Sequence, residues 1–86
     1  MPEISRFFGI IVRMYFDDHL PPHFHAIYGE QEAQISINPI GLLRGRLSIR
    51  ARSMVIEWAA LHQQELLENW DRLQQDRSAQ AIPPLE

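Results

Sequence analysis

Residues 23–38 of the chain, HFHAIYGEQEAQISIN, alternate between two sets of side chains on either side of a central Gly-Glu pair. Successive side chains of a β-strand point to opposite faces, so the alternation over 23–28 and again over 32–38 predicts two strands. Gly29 and Glu30 supply residues that are typical of a turn. The second strand has an apolar and a polar face, and the pair is therefore expected to form an antiparallel hairpin with one wet face.

The segments on both sides of this hairpin predict two more strands. Residues 7–16 are nearly all apolar, β-branched or aromatic, which predicts a single strand covered on both faces. Residues 17–22 contain two acids and a Pro pair and predict an ordered loop. After a turn at 39–41, residues 43–47 predict a fourth short strand. The expected sheet is four-stranded, mainly antiparallel, and a meander.

The second half of the chain changes to a helical period. Ser48 is a suitable N-cap, and apolar residues follow it at helical spacing up to His62. Beyond residues 62–64 the apolar stripe moves to another side, which predicts a kink or a pair of helices packed on one face of the sheet. Trp58 and Trp70 are expected to anchor this helix–sheet contact.

The expected domain is a two-layer α+β domain over residues 1–76, followed by an extended tail over 77–86. The tail contains two consecutive prolines and has no period, so it is expected either to be loose or to lie against the domain.

Composition excludes several classes of function. The chain has no cysteine, which excludes disulfides, iron–sulfur clusters, zinc sites with thiolate ligands and a cysteine nucleophile. It contains no apolar run of about 20 residues and no N-terminal pattern of a secretion signal, so a cytoplasmic protein without membrane contact is expected. P-loop, GxSxG and HExxH motifs are also absent from the sequence.

The nine residues 17–25, DDHLPPHFH, contain three of the four histidines. His23 and His25 are two positions apart on a strand and are therefore expected on one face, about 7 Å apart at Cα. Their imidazoles could converge on one divalent metal ion, with His19 or Asp17 as a third ligand. A ligand set of histidine and carboxylate suits zinc, manganese, iron or nickel.

Two other interpretations of the same residues stay open. In the first, His19, His23, His25 and Asp18 are catalytic, and an imidazole acts as general acid or base in a metal-independent, ribonuclease-like cleavage. In the second, the polar groups have a structural role and hydrogen-bond across the loop to hold the first two strands in register.

Four of the eight basic residues, all arginine, are concentrated within nine positions of a chain whose net charge is −3. They are Arg44, Arg46, Arg50 and Arg52. The overall charge repels nucleic acid, so any contact with RNA is expected to be local to this cluster. The alternative is a solvated face whose arginines pair with nearby acids.

Three stretches together carry a resemblance to a known family: MPEISRFFG at 1–9, MYFDDHLPPHFHA at 14–26 and EWAALHQQELLENW at 57–70. The chain resembles the prokaryotic domain of unknown function 4160 family over essentially its whole length. The family motif falls on Asp18, His19, Pro21, Pro22, His23 and His25, and Leu20 stands where the family has a polar residue.

The resemblance implies a one-domain bacterial protein that is often encoded beside another small protein, an arrangement similar to toxin–antitoxin pairs. The function expected first is therefore a component of a two-gene module that binds a small protein partner and RNA. The alternatives are a non-catalytic module that binds a metal or small ligand through the His-x-His strand, and a purely structural partner subunit. Self-association into a homo-oligomer stays open.

Overall fold

The computed structural model describes residues 3–16 and 18–86, which form a five-stranded antiparallel sheet followed by two helices. The strands lie side by side in chain order, so the sheet is a meander. The elements are β1 Glu3–Phe7, β2 Ile10–Arg13, β3 His23–Tyr28, β4 Gln31–Ile37, β5 Ile40–Gly45, α1 Ile49–Leu61 and α2 Gln63–Gln74. The α+β class, the antiparallel meander and the C-terminal pair of helices are confirmed.

The sheet has five strands rather than four, because the single strand expected over residues 7–16 is wrong. The chain turns at Phe8 and Gly9, which have φ angles of 49° and 81°, and β1 then pairs with β2 as a hairpin. A two-residue hairpin turn with positive φ at both positions usually contains Asn or Gly. Phe8 is apolar and therefore did not indicate a turn in the sequence. The residue is 60% exposed in the turn between β1 and β2.

The last strand lies earlier in the chain than expected. It begins at Ile40 and ends at Gly45, whereas residues 43–47 were expected. Gly45 has a φ of 85°, and a Cβ at this position would overlap the backbone carbonyl oxygen of Glu32. The strand therefore ends at a residue that must be glycine. Arg44 lies in β5, and Arg46 lies beyond its end.

The helical half matches the expectation closely. The Ser48 hydroxyl accepts a hydrogen bond from the backbone N–H of Ala51 at 3.2 Å, and the helix breaks at His62. Trp58 is fully buried and Trp70 nearly so. The Trp58 ring packs on Phe7 and Phe24 of the sheet, with ring centroids 5.4 and 5.7 Å apart. In the described part of the chain, neither helix is long and apolar enough to span a membrane.

Residues after α2 are extended and lie against the domain. The backbone N–H of Ile82 donates to the carbonyl of Ile4 in β1 at 2.8 Å. The Trp58 indole N–H donates to the Pro83 carbonyl at 2.9 Å, and the Asn69 side chain makes two hydrogen bonds to the backbone of Gln80. Because Ile82 is buried, this tail forms part of the core.

Candidate metal centre at the start of strand β3

Three side chains converge where the proline loop enters β3. His23 and His25 lie two residues apart in the strand, and their ring centroids are 5.3 Å apart. Asp18 Oδ2 lies 3.1 Å from Nε2 of His23 and 3.0 Å from Nε2 of His25. One possible ligand atom from each residue lies within 4.8 Å of the other two. The strand face shared by the two histidines was predicted from the period of the sequence.

The Nδ1 atom of each histidine is held by an oxygen atom. His23 Nδ1 lies 2.8 Å from the carbonyl oxygen of Pro21, which can only accept, so the hydrogen of a neutral His23 is on Nδ1. His25 Nδ1 lies 3.1 Å from Oε2 of Glu32, which comes from the neighbouring strand β4. The Nε2 atom of a neutral His23 therefore presents a lone pair toward Asp18. The Nε2 atom of His25 does the same when the hydrogen of that ring is on Nδ1.

This arrangement places nitrogen lone pairs beside a carboxylate. His23 is almost completely buried, and among the described residues its Nε2 makes no hydrogen bond, although it lies 3.1 Å from Oδ2 of Asp18. Both ring nitrogens of His25 face carboxylates, whereas a neutral imidazole has only one hydrogen to donate. A cation between these atoms, either a proton or a metal ion, would reduce the repulsion between the lone pairs and the carboxylate.

Asp18 supplies the negative charge of the cluster. Burial raises its pKa, but the hydrogen bond from the His25 ring and the one from the backbone N–H of His19 oppose this effect, as does the electrostatic influence of His23 and His25. The pKa of Asp18 is lowered in sum, so the carboxylate is ionised at neutral pH. The His19 N–H donates to Oδ1 at 2.9 Å, which leaves Oδ2 for the two histidines.

Aromatic rings enclose the two histidines. The Tyr15 ring meets His25 edge to face, with centroids 4.6 Å apart, and the Trp70 ring of α2 lies 5.4 Å from that of His23. These contacts restrict rotation of both imidazoles and exclude water from one side. The cluster is therefore held by the loop, the sheet and the second helix together.

A cavity of about 320 Å³ opens beside the cluster. Asp18 and His23 form part of its wall, and the remaining lining residues are His19, Leu20, Pro21, Gln34, Leu43 and Arg44. His19 enters this wall but is not one of the three converging residues, and its side chain is exposed. The third residue is Asp18 instead. Asp17, the other ligand considered from the sequence, lies outside the described residues.

The structure divides the arginine cluster. Arg44 lines the cavity beside His23, whereas Arg50 lines a separate cavity of about 470 Å³ with Phe8 and Tyr28 at the start of α1. Arg46 and Arg52 are exposed and line neither cavity. Only one of the four arginines therefore lies beside the histidines.

Glu32 is a member of the site that sequence reasoning did not identify. The alternation in β4 placed it on the wet face, and it is indeed half-exposed. Its carboxylate reaches His25 because the hairpin pairs Glu32 with Ile27, two residues along β3 from His25. The hairpin register, once known, contains the signal, since diagonal neighbours across two strands lie within reach of long side chains.

The comparisons with known proteins identify a family and no activity. Searches of curated proteins and of solved structures found no significant match. The family model described as "Domain of unknown function (DUF4160)" matches residues 9–71, which include all three converging residues. Since this match covers well over half of the sequence, the chain belongs to the DUF4160 family.

Proposed function

We propose that this protein binds one divalent transition-metal ion through Asp18, His23 and His25. The observation that carries the proposal is the convergence of two imidazole Nε2 atoms on one carboxylate oxygen, while both Nδ1 atoms are held by oxygen atoms. Histidines that bind metals donate their other ring N–H to a carboxylate or a backbone carbonyl, which fixes the ring and its tautomer. Glu32 and the Pro21 carbonyl have this role here.

The two distances from Asp18 and the ligand types fit such an ion. Zinc–nitrogen and zinc–oxygen bonds of about 2.0–2.1 Å in a tetrahedron place neighbouring ligand atoms about 3.3 Å apart. The two separations from Asp18 Oδ2 are 3.0 and 3.1 Å. Nitrogen and oxygen ligands without sulfur suit zinc, manganese, iron or nickel. Three protein ligands leave a coordination position for an exogenous molecule, as in binding and catalytic sites.

Protons alone satisfy this cluster less well than a metal ion does. A hydrogen on Nε2 of His23 would be buried on a nitrogen that makes no hydrogen bond with the described residues, although Asp18 Oδ2 lies 3.1 Å away. An unsatisfied buried donor costs about 1–3 kcal/mol. A metal ion uses the lone pair of that nitrogen instead, and it also separates the lone pair from the carboxylate.

Titration of untagged, chelator-treated protein with Zn²⁺ and Co²⁺ tests the proposal. We expect one ion per chain, and we expect His23→Ala and His25→Ala each to weaken binding by about 100-fold or more, because each removes one of three ligands. The matched control is His62→Ala, which removes a histidine that pairs with Glu65 away from the site. Circular dichroism checks that each variant is folded.

Two results would contradict the proposal: binding of less than one ion per chain by the wild type, or an equal loss of affinity in His62→Ala and in the variants of His23 and His25. The cobalt spectrum adds an independent measurement, since its ligand-field bands report the coordination number and the nitrogen and oxygen ligands.

We also propose that the protein works in the cytoplasm in a two-gene module with a small protein partner and RNA. The family resemblance supports the module, and the position of Arg44 beside His19 and His23 supports a phosphate contact. With His23 and His25 on a metal, His19 is the imidazole that stays available for proton transfer to a bound RNA.

Expression with and without the neighbouring gene tests the module. We expect growth arrest when this protein or its neighbour is expressed alone, and growth when the two are expressed together. The two proteins should also co-purify. Normal growth in all three cases and separate elution of the two proteins would contradict the module, whatever the outcome of the metal titration.

A further inference from the structure

We propose that the cavity beside the three ligands binds a phosphoryl group, with one oxygen at the open position of the metal and two oxygens on the guanidinium of Arg44. The inference rests on the proposed metal centre and names the class of ligand that this centre takes. The walls of the cavity contain Asp18 and His23 but not His25. A molecule in the cavity therefore approaches the ion from the side of these two ligands.

Arg44 is positioned to bind an anion. It projects from β5, the edge strand next to β4, and is exposed. It makes no ion pair with any residue in the ranges 3–16 and 18–86. An arginine with free hydrogen-bond donors in the wall of a cavity is a ready partner for an oxyanion.

The balance of charge at the site also favours an anion. The two positive charges of the ion and the one of Arg44 outweigh the two negative charges of Asp18 and Glu32. The chain as a whole carries −3, so the cavity would be a local positive site on an acidic protein. Such a site selects small or locally contacting anions rather than a long polyanion that must cover the acidic surface.

The number of oxygens distinguishes a phosphoryl group from a carboxylate. The planar guanidinium of arginine binds two oxygens of one group in parallel. A carboxylate has only two oxygens, so one of them would have to bind the metal and accept from the guanidinium at the same time. A phosphate monoester has three free oxygens, which is enough for both. The Gln34 amide in the same wall offers a further donor.

The mouth of the cavity accommodates the substituent of a phosphate ester. Leu20 and Leu43 line it, and they are 79% and 44% exposed. Exposed leucines beside charged groups supply apolar contact for a ribose or a base without discriminating among them. The same phosphoryl chemistry could come from inorganic phosphate, a nucleotide or the terminal phosphate of an RNA, whereas a backbone phosphodiester has only two free oxygens.

Manganese-loaded protein with three phosphorus probes tests the proposal: inorganic phosphate, adenosine monophosphate and a short single-stranded RNA with a 5′-phosphate. Paramagnetic Mn²⁺ broadens the ³¹P signal of a phosphorus atom that lies close to it. We expect saturable broadening, and we expect Arg44→Gln to weaken binding about tenfold or more at unchanged metal affinity. The matched control is Arg46→Gln, which changes an exposed arginine that does not line the cavity.

The outcomes separate this inference from the proposed function. If the wild type binds no metal, the metal centre fails and the phosphoryl site fails with it. If one ion binds but the ³¹P signal of no probe broadens, only the phosphoryl site is overturned. The same holds if Arg44→Gln and wild type bind phosphate equally. Acetate that competes as strongly as phosphate would also overturn it.

The three probes identify the source of the phosphoryl group, and each pattern supports the site. Equal affinity for phosphate and adenosine monophosphate indicates that the phosphoryl group alone is bound. Tighter binding of this RNA, with an affinity that falls as salt rises, indicates that its terminal phosphate is bound and that its backbone adds further contacts.

Discussion

At the level of single residues, the two imidazoles of the site are held by oxygen atoms of different charge. His23 is fixed by a backbone carbonyl, which is neutral, whereas His25 is fixed by the carboxylate of Glu32. A carboxylate partner makes a coordinating imidazole a stronger ligand. His25 is therefore the better electron donor, while His23 is the more deeply buried of the two.

The acidic member of the cluster makes the stability of the metal-free protein depend on pH. The pKa of Asp18 is lowered in the folded state, so the folded protein takes up this proton less readily than the unfolded chain does. Its contribution to stability is fully present above the unfolded pKa of about 3.9 and is lost as pH falls through the lower folded value.

We therefore expect Asp18→Asn to reduce the free energy of unfolding at pH 6 and to approach the wild type as pH falls below about 4. Urea denaturation of metal-free protein at a series of pH values measures the difference. Asp71→Asn, an exposed change on α2, is the matched control. If the free energies of unfolding of the wild type and Asp18→Asn differ by the same amount from pH 6 to pH 3, the lowered pKa of Asp18 in the folded protein is contradicted.

At the level of elements, the sequence predicts the strands and helices that follow a regular hydrophobic period. It does not predict the turn that depends on a positive φ angle. Strand β3 lies over residues 23–28 as expected, and the helix breaks at His62 within the predicted interval. The hairpin of β1 and β2 was missed because Phe8 takes a positive φ without being Gly or Asn. An apolar residue at such a position carries no compositional signal of a turn.

The same division holds for the candidate site. The shared face of His23 and His25 follows from the two-residue period of a strand. The choice of Asp18 rather than His19 as the third member depends on the path of the loop before Pro21, which no period describes. Glu32 joins the site through the register of the hairpin, and alternation alone indicated only that it faces solvent.

At the level of the whole molecule, the two helices contact different parts of the sheet. Trp58 of α1 packs against Phe7 and Phe24 in the core, while Trp70 of α2 contacts the ring of His23. The break at His62 allows both contacts, since a straight helix would keep its apolar stripe on one line. The position of α2 therefore couples the core to the candidate metal centre.

The C-terminal tail holds this arrangement together. Asn69 is buried on α2 beside Trp70, and both its amide oxygen and its amide nitrogen bond to the backbone of Gln80 at 2.8 Å. The Trp58 indole N–H bonds to the tail at Pro83, and Ile82 reaches the exposed edge of β1. The tail thus satisfies buried polar groups on both helices and covers one edge of the sheet.

Deletion of residues 78–86 should lower the free energy of unfolding by about 3 kcal/mol or more, because it removes the buried Ile82 side chain and leaves Asn69 and the Trp58 indole without partners. Ile82→Ala alone should lower it by about 2–4 kcal/mol. Ala81→Ser, an exposed change in the same segment, is the control and should stay within about 0.5 kcal/mol of wild type. Urea denaturation followed by tryptophan fluorescence measures all three. A deletion that unfolds at the same urea concentration as the wild type would show that the tail is not part of the folded core, and α2 would then be held on the sheet by the packing of Leu66, Trp70 and Leu73 alone.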